Sequence, residues 1–200
     1  MAENIKFSSE SLVIEGLLEK KPGDKAAVVT HPHSLYGGDM YNPVVETVAR
    51  IYQKKGYTTL RFNFRGVGNS QGRYDDGMGE QTDVRAALTF LSAMGIQQID
   101  LAGYSFGAWV NAHVDQTTSP YARMVMVSPP VGFMGFEKVS ALKGLTLVVA
   151  GSQDDIAPPD LIRQQLPAWN QQARFEVVEG ADHFYSGYLN ALETVLESAL

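Results

Sequence analysis

The pentapeptide Gly103-Tyr104-Ser105-Phe106-Gly107 lies between two segments of different pattern. Residues 98–102 before it form a short, mostly apolar run, as in a buried strand. Residues 108–114 after it have the apolar spacing of an amphipathic helix. A strand that passes into a helix through so short a turn strains its central residue, and only small neighbours let the two elements pack together. The pattern therefore predicts a nucleophile elbow, which presents the Ser105 hydroxyl clear of the backbone.

A second Gly-x-Ser-x-Gly match provides an internal control, Gly68-Asn69-Ser70-Gln71-Gly72. This match also follows a strand-like run, residues 58–64, but residues 73–77 after it are typical of a turn rather than a helix. We therefore interpret Ser70 as a structural loop residue. The flanking pattern, and not the pentapeptide alone, selects Ser105.

The composition excludes several kinds of protein. Two hundred residues can form one domain, residues 1–200, with a substantial core. The formal charge of −6 argues against nucleic acid or an anionic membrane surface as a partner, and the lack of cysteine excludes disulfides and thiol chemistry. Because residues 1–6 do not resemble a secretory signal and no apolar run could span a bilayer, we expect a cytoplasmic protein.

Strand-like and helix-like segments alternate along the chain. The patterns predict an antiparallel opening pair at residues 5–8 and 12–19, and further strands at 26–30, 57–64, 98–102, 122–128, 145–150 and 174–178. Helices are predicted after Asn42 and at residues 80–94, 108–114, 159–169 and 189–200. This order indicates an α/β fold with a mostly parallel sheet of about eight strands and helices on both faces.

A serine hydroxyl becomes nucleophilic when a base takes its proton, and the base needs an orienting carboxylate. After an elbow serine the acid comes next along the chain, and the histidine follows. Asp154 and Asp155 follow the strand at 145–150, and His183 follows the strand at 174–178. All lie at the carboxyl ends of parallel strands, where ligands bind in such sheets. His183 is the predicted base, and either Asp154 or Asp155 is the predicted acid.

Taken together, these segments resemble the α/β-hydrolase superfamily and, within it, the small bacterial hydrolases akin to dienelactone hydrolase. The resemblance covers nearly the whole chain and includes Gly-x-x-Asp-x-x-x-Pro at residues 151–158, Gly-Ala-Asp-His-Phe at 180–184 and Arg-Phe-Asn-Phe-Arg-Gly at 61–66. It implies that Ser105 is the nucleophile and that His183 acts as general base and then acid. The position relative to Pro158 favours Asp154 as the orienting carboxylate.

We therefore expect a serine hydrolase that cleaves esters or thioesters of small carboxylic acids through an acyl-enzyme, and we expect no cofactor and no metal. The oxyanion hole would use the Phe106 N–H and a second N–H from the loop after the strand at 26–30. Many relatives carry His-Gly in that loop, whereas this chain has His31-Pro32-His33. Since proline has no N–H, His33 is the first choice for the second donor and Ser34 the alternative.

The sequence also predicts how the surroundings of the site are built. Only residues 129–143 separate the strand at 122–128 from the next strand, which predicts a site without a cap domain. His31 and His33 are interpreted as loop scaffold rather than metal ligands. A buried ionic network that braces the glycine-rich loop is predicted for Arg61, Arg65, Glu80 and Asp83.

The alternative function is a non-catalytic binding or scaffold protein on the same fold, since a fold does not establish an activity.

Overall fold

The computed structural model describes residues 2–115, 117–119, 121–142 and 144–200. The strands are β1 (Ala2–Ser9), β2 (Leu12–Glu19), β3 (Lys25–Thr30), β4 (Thr58–Phe62), β5 (Gln98–Tyr104), β6 (Arg123–Val127), β7 (Leu145–Gly151) and β8 (Arg174–Val178). The α-helices are α1 (Pro43–Lys54), α2 (Met78–Ala93), α3 (Phe106–His113), α4 (Pro159–Trp169) and α5 (Leu189–Ala199), and a 3₁₀ turn spans Ser34–Tyr36.

Within the described residues the eight strands form one sheet in the order β1-β2-β4-β3-β5-β6-β7-β8. β1 pairs antiparallel with β2, and β2 pairs antiparallel with β4. Every other neighbouring pair is parallel. The predicted antiparallel opening and mostly parallel sheet are confirmed.

Helices cover both faces of this sheet. Val84 of α2, Val110 of α3 and Ile162 of α4 belong to one buried apolar cluster. Val48 of α1 and Leu192 of α5 belong to a second cluster on the opposite face. With both faces covered, the central strands contain almost continuous apolar runs, as the sequence indicates for a parallel sheet.

The helix ends follow from local chemistry. α1 begins where the Asn42 side chain accepts a hydrogen bond from the Val44 N–H and Pro43 takes the first helical position. α2 begins at Met78, two residues before the predicted start, because the Glu80 carboxylate accepts the Gly77 N–H at 2.9 Å. That bond satisfies the Gly77 N–H, which would otherwise be a free donor at the start of the helix. The apolar periodicity of the sequence does not reveal this bond.

The ionic network around the glycine-rich loop has fewer members than predicted. Arg65 donates to Asp83 on α2, at 2.8 Å for its closest nitrogen, and both side chains are buried. Arg61, in contrast, donates to the Glu46 carboxylate on α1 and to a backbone carbonyl. The prediction for Arg61 is wrong because Arg61 faces α1, whereas Arg65 lies beyond the end of β4 and faces α2.

The connection from β6 to β7 contains no helix or strand in its described part, residues 128–142 and 144, so no cap domain covers the carboxyl edge of the sheet. Lys143, which the predicted connection includes, lies outside the described residues. Phe136 is buried in the core, whereas Phe133 is 64% exposed. Among the described residues, no helix is long and apolar enough to cross a membrane.

Candidate active site

Ser105 occupies the sharp turn between β5 and α3. Its backbone angles are φ 53° and ψ −120°, a strained conformation for a residue with a side chain. A Cβ on Gly103 would lie 2.6 Å from the Ala108 nitrogen, and a Cβ on Gly107 would lie 2.7 Å from the Thr30 carbonyl oxygen. Both flanking positions therefore have to be glycine for the helix to start against the strands.

Three side chains from separate loops meet at this turn. The Ser105 Oγ lies 2.9 Å from the His183 Nε2, and the His183 Nδ1 lies 2.9 Å from both carboxylate oxygens of Asp154. Since a carboxylate accepts, the hydrogen of the neutral imidazole is on Nδ1, and Nε2 can accept the Ser105 hydroxyl proton. Ser105 follows β5, Asp154 follows β7 and His183 follows β8.

The two candidate carboxylates have different surroundings. Asp154 is buried, and its Oδ1 also accepts the backbone N–H groups of Ile156 at 3.0 Å and Ala157 at 2.7 Å. Burial alone would raise the pKa of Asp154, but the hydrogen bonds from His183 and Ala157 outweigh it and keep the pKa below its usual value. Asp155 is exposed, and its carboxylate has no hydrogen bond to the described part of the chain.

Two tyrosines that the sequence reasoning did not select hold the loop around His183. The buried Tyr104 hydroxyl donates to the His183 carbonyl oxygen at 2.8 Å. The buried Tyr185 hydroxyl lies 2.9 Å from the Ser128 Oγ at the end of β6. Tyr104 is a variable position of the pentapeptide, so only its contact across 79 residues of sequence reveals this role.

The predicted oxyanion donors lie at the edge of the same cavity. The backbone N–H groups of Phe106 and His33 have no intramolecular partner among the described residues, and both residues line the cavity beside Ser105. The His33 ring packs 4.6 Å from the Phe106 ring, and its Nδ1 accepts the Leu35 N–H. Ser34, the alternative donor, starts the 3₁₀ turn and does not line the cavity.

His31 is buried behind this loop and bonded on both sides of its ring. Its Nε2 accepts the Phe64 N–H at 3.0 Å, and its Nδ1 donates to the Pro32 carbonyl oxygen at 2.7 Å. Burial lowers the pKa of His31 to about 4, so the imidazole is neutral at pH 7. These bonds give His31 the scaffold role that the sequence analysis favours.

Because His31 is buried and neutral, we expect the stability of the fold to decrease in acid. In the unfolded chain His31 takes up a proton near pH 6.5, but in the folded protein only near pH 4. Acid therefore favours unfolding between these values, and the free energy of unfolding should fall by about 3 kcal/mol as pH drops through this window.

Urea titrations at pH 7, 5.5 and 4.5 on the wild type and His31→Gln measure this effect. Glutamine can still accept the Phe64 N–H but does not titrate, so the pH dependence should be shallower in the variant. An equal slope in both proteins would contradict the role assigned to His31.

Ser70, the control serine, is bonded into the fold. Its Oγ donates to the Asn63 carbonyl oxygen at 2.7 Å and accepts the Glu15 N–H at 3.1 Å. No histidine is among its hydrogen-bond partners in the described part of the structure. The second pentapeptide therefore has a structural explanation that needs no catalytic function.

No family model matches this chain. An uncharacterized protein of Rickettsia prowazekii is 35% identical over 193 residues, which cover 90% of this chain and 81% of that protein. An alpha-beta serine hydrolase homologue from Coxiella burnetii superimposes with a TM-score of 0.92 at 35% identity, over 99% of this chain and 97% of the other. A serine hydrolase without a lid from Xanthomonas campestris superimposes with a TM-score of 0.90 at 30% identity, over 99% and 93%.

The fold and these relatives define a class, the α/β hydrolases without a cap domain. Within that class, the chain belongs to the α/β serine hydrolase family. The resemblance found in the sequence is confirmed, and hydrolysis is the general activity that this membership supports.

Proposed function

We propose that the protein hydrolyses esters or thioesters of small carboxylic acids, with Ser105 as nucleophile, His183 as general base and then acid, and Asp154 as the orienting carboxylate. The observation that carries the proposal is the continuous chain of hydrogen bonds from Ser105 through His183 to Asp154, with 2.9 Å at each step. The fold and the solved relatives are consistent with such chemistry.

In the acylation step, the Ser105 Oγ attacks the carbonyl carbon of the substrate while its proton passes to the His183 Nε2. The Asp154 carboxylate stabilises the imidazolium that forms. The negative charge on the carbonyl oxygen is held by the N–H groups of Phe106 and His33. When the tetrahedral intermediate collapses, the alcohol or thiol leaves with the proton from Nε2, and an acyl ester remains on Ser105.

In the deacylation step, water attacks the acyl carbon and gives its proton to the His183 Nε2. The Ser105 Oγ then leaves and takes that proton back, which releases the carboxylic acid and restores the starting state. Esters and thioesters are better substrates than amides for this cycle because an amine is a poorer leaving group.

Labelling with a fluorophosphonate, followed by peptide mass mapping, tests the proposal. The reagent transfers its phosphoryl group to an activated serine with loss of fluoride, and we expect one adduct, at Ser105. Ser70 is the matched control in the same protein, because it has the same pentapeptide context without a histidine partner. Well-folded protein that takes no label would instead favour the binding or scaffold alternative.

The oxyanion hole gives a separate prediction at His33. The φ of His33 is −60°, which proline can adopt, so His33→Pro removes the backbone N–H while keeping the local backbone angle. Relative to His33→Ala, which keeps the N–H and also lacks the ring, we expect kcat to fall by about 10²–10³-fold. Steady-state hydrolysis of an activated ester measures the difference. Equal kcat values in the two variants would exclude His33 as a donor and favour Ser34.

A further inference from the structure

The cavity beside Ser105 has an aromatic rim that faces solvent. The cavity encloses about 420 Å³. Tyr36, Phe133 and Phe184 line it and are 76%, 64% and 65% exposed. Such exposure is unusual for large aromatic side chains, and their clustering at the mouth of a cavity marks a contact surface. Lining residues that are less exposed than this rim are also apolar, among them Pro130, Met134 and Ile156.

The same cavity lacks positive charge. No lysine or arginine belongs to its lining within the described ranges. Apart from Tyr104, Ser105 and His183, the lining side chains that can donate a hydrogen bond to an anion are those of Tyr36, His33 and Asn42, and none of them carries a permanent positive charge. Burial lowers the pKa of His33, which disfavours the charged form of its ring.

The charged residues next in sequence to the lining are carboxylates. Asp39 follows Gly38, Asp155 precedes Ile156 and Asp182 precedes His183. A negatively charged substrate group would therefore leave water for an apolar wall with no cation, in a chain whose formal charge is already −6. The apolar wall and the net negative charge both disfavour binding of an anionic substrate, since an unpaired charge is costly to desolvate.

We propose that the site selects substrates whose groups on both sides of the scissile bond are apolar and uncharged, and that it rejects esters and thioesters carrying a carboxylate or phosphate near that bond. This inference rests on the proposed function and deepens it. The acyl or alcohol group packs against Tyr36, Phe133 and Phe184, and apolar contact with these rings supplies the binding energy.

Two p-nitrophenyl esters of equal chain length test the acyl side. The pentanoate ends in a methyl group, and the monoester of pentanedioic acid ends in a carboxylate. We expect kcat/KM for the carboxylate ester to be about 10²-fold lower. Along the series from acetate to pentanoate, kcat/KM should rise by roughly threefold per methylene. Equal kcat/KM values for the charged and uncharged esters would overturn the inference.

A charge introduced at the rim gives the matched comparison. Phe133→Lys and Phe133→Met replace the ring with unbranched side chains of similar length that differ in charge. Relative to Phe133→Met, we expect Phe133→Lys to raise the carboxylate-to-methyl ratio of kcat/KM by about fivefold, because the cation sits in a largely solvated position. If the ratio is the same in the two variants, missing positive charge is not what determines selectivity.

Thioesters test the leaving-group side. S-Acetyl-N-acetylcysteamine releases an uncharged thiol, whereas S-acetyl-3-mercaptopropionate releases a thiol that carries a carboxylate two methylene groups from the sulfur. We expect the uncharged thioester to react at least tenfold faster, and a preference for the carboxylate-bearing thioester would overturn the inference. Fluorophosphonate labelling of the same preparation separates the two failures. Protein without label contradicts the proposed function, whereas protein labelled at Ser105 that ignores substrate charge contradicts only the selectivity.

Discussion

Ser105→Ala is expected to lower kcat for ester hydrolysis by about four to six orders of magnitude while the protein remains folded. The variant loses the Oγ that lies 2.9 Å from the His183 Nε2, and no acyl ester can form. The backbone strain at φ 53° is the same for alanine as for serine, so the elbow keeps its conformation. Steady-state kinetics, with circular dichroism as a check on folding, measures the effect.

Ser70→Ala is the control for this variant. It removes a buried hydroxyl that makes two hydrogen bonds, so the free energy of unfolding should fall by about 1–3 kcal/mol. Fluorophosphonate labelling at Ser105 and kcat should change little. The opposite pattern, in which Ser70→Ala removes activity and Ser105→Ala retains it, would show that the flanking sequence had selected the wrong serine.

Asp154→Asn is expected to lower kcat by about 10⁴-fold. The Oδ1 of Asp154 accepts the N–H groups of Ile156 and Ala157, and an asparagine would keep its carbonyl oxygen on these donors. Its NH₂ group would then face the His183 Nδ1 and donate to it. The imidazole hydrogen would move to Nε2, which could no longer accept the Ser105 proton.

Asp155→Asn is the matched comparison, one residue away. Its carboxylate is exposed and has no partner in the described structure, so kcat should stay within about twofold of the wild type. Measuring kcat for both variants at pH 7 decides between the two positions. A large loss in Asp155→Asn and a small one in Asp154→Asn would move the acid by one residue.

The sequence by itself determined the elements and their order. Each boundary depends on neighbouring residues, as at Asn42 and Pro43, where a cap and a helix-compatible φ fix the start of α1. The apolar run of β3 records burial on both faces, and the small residues around Ser105 record the close approach of α3 to the sheet. These features depend on residues that are close in sequence, so the sequence pattern shows them directly. For this reason the fold could be predicted.

Only the tertiary structure decided which side chains meet. Asp154 and Asp155 are neighbours in sequence, but the loop after β7 buries one beside His183 and exposes the other. Tyr104 contacts the His183 backbone, and Arg61 faces α1 instead of the glycine-rich loop. The neutral aromatic cavity likewise combines residues from five separate segments. These contacts depend on loop conformations and on the direction of each side chain, which local periodicity does not encode.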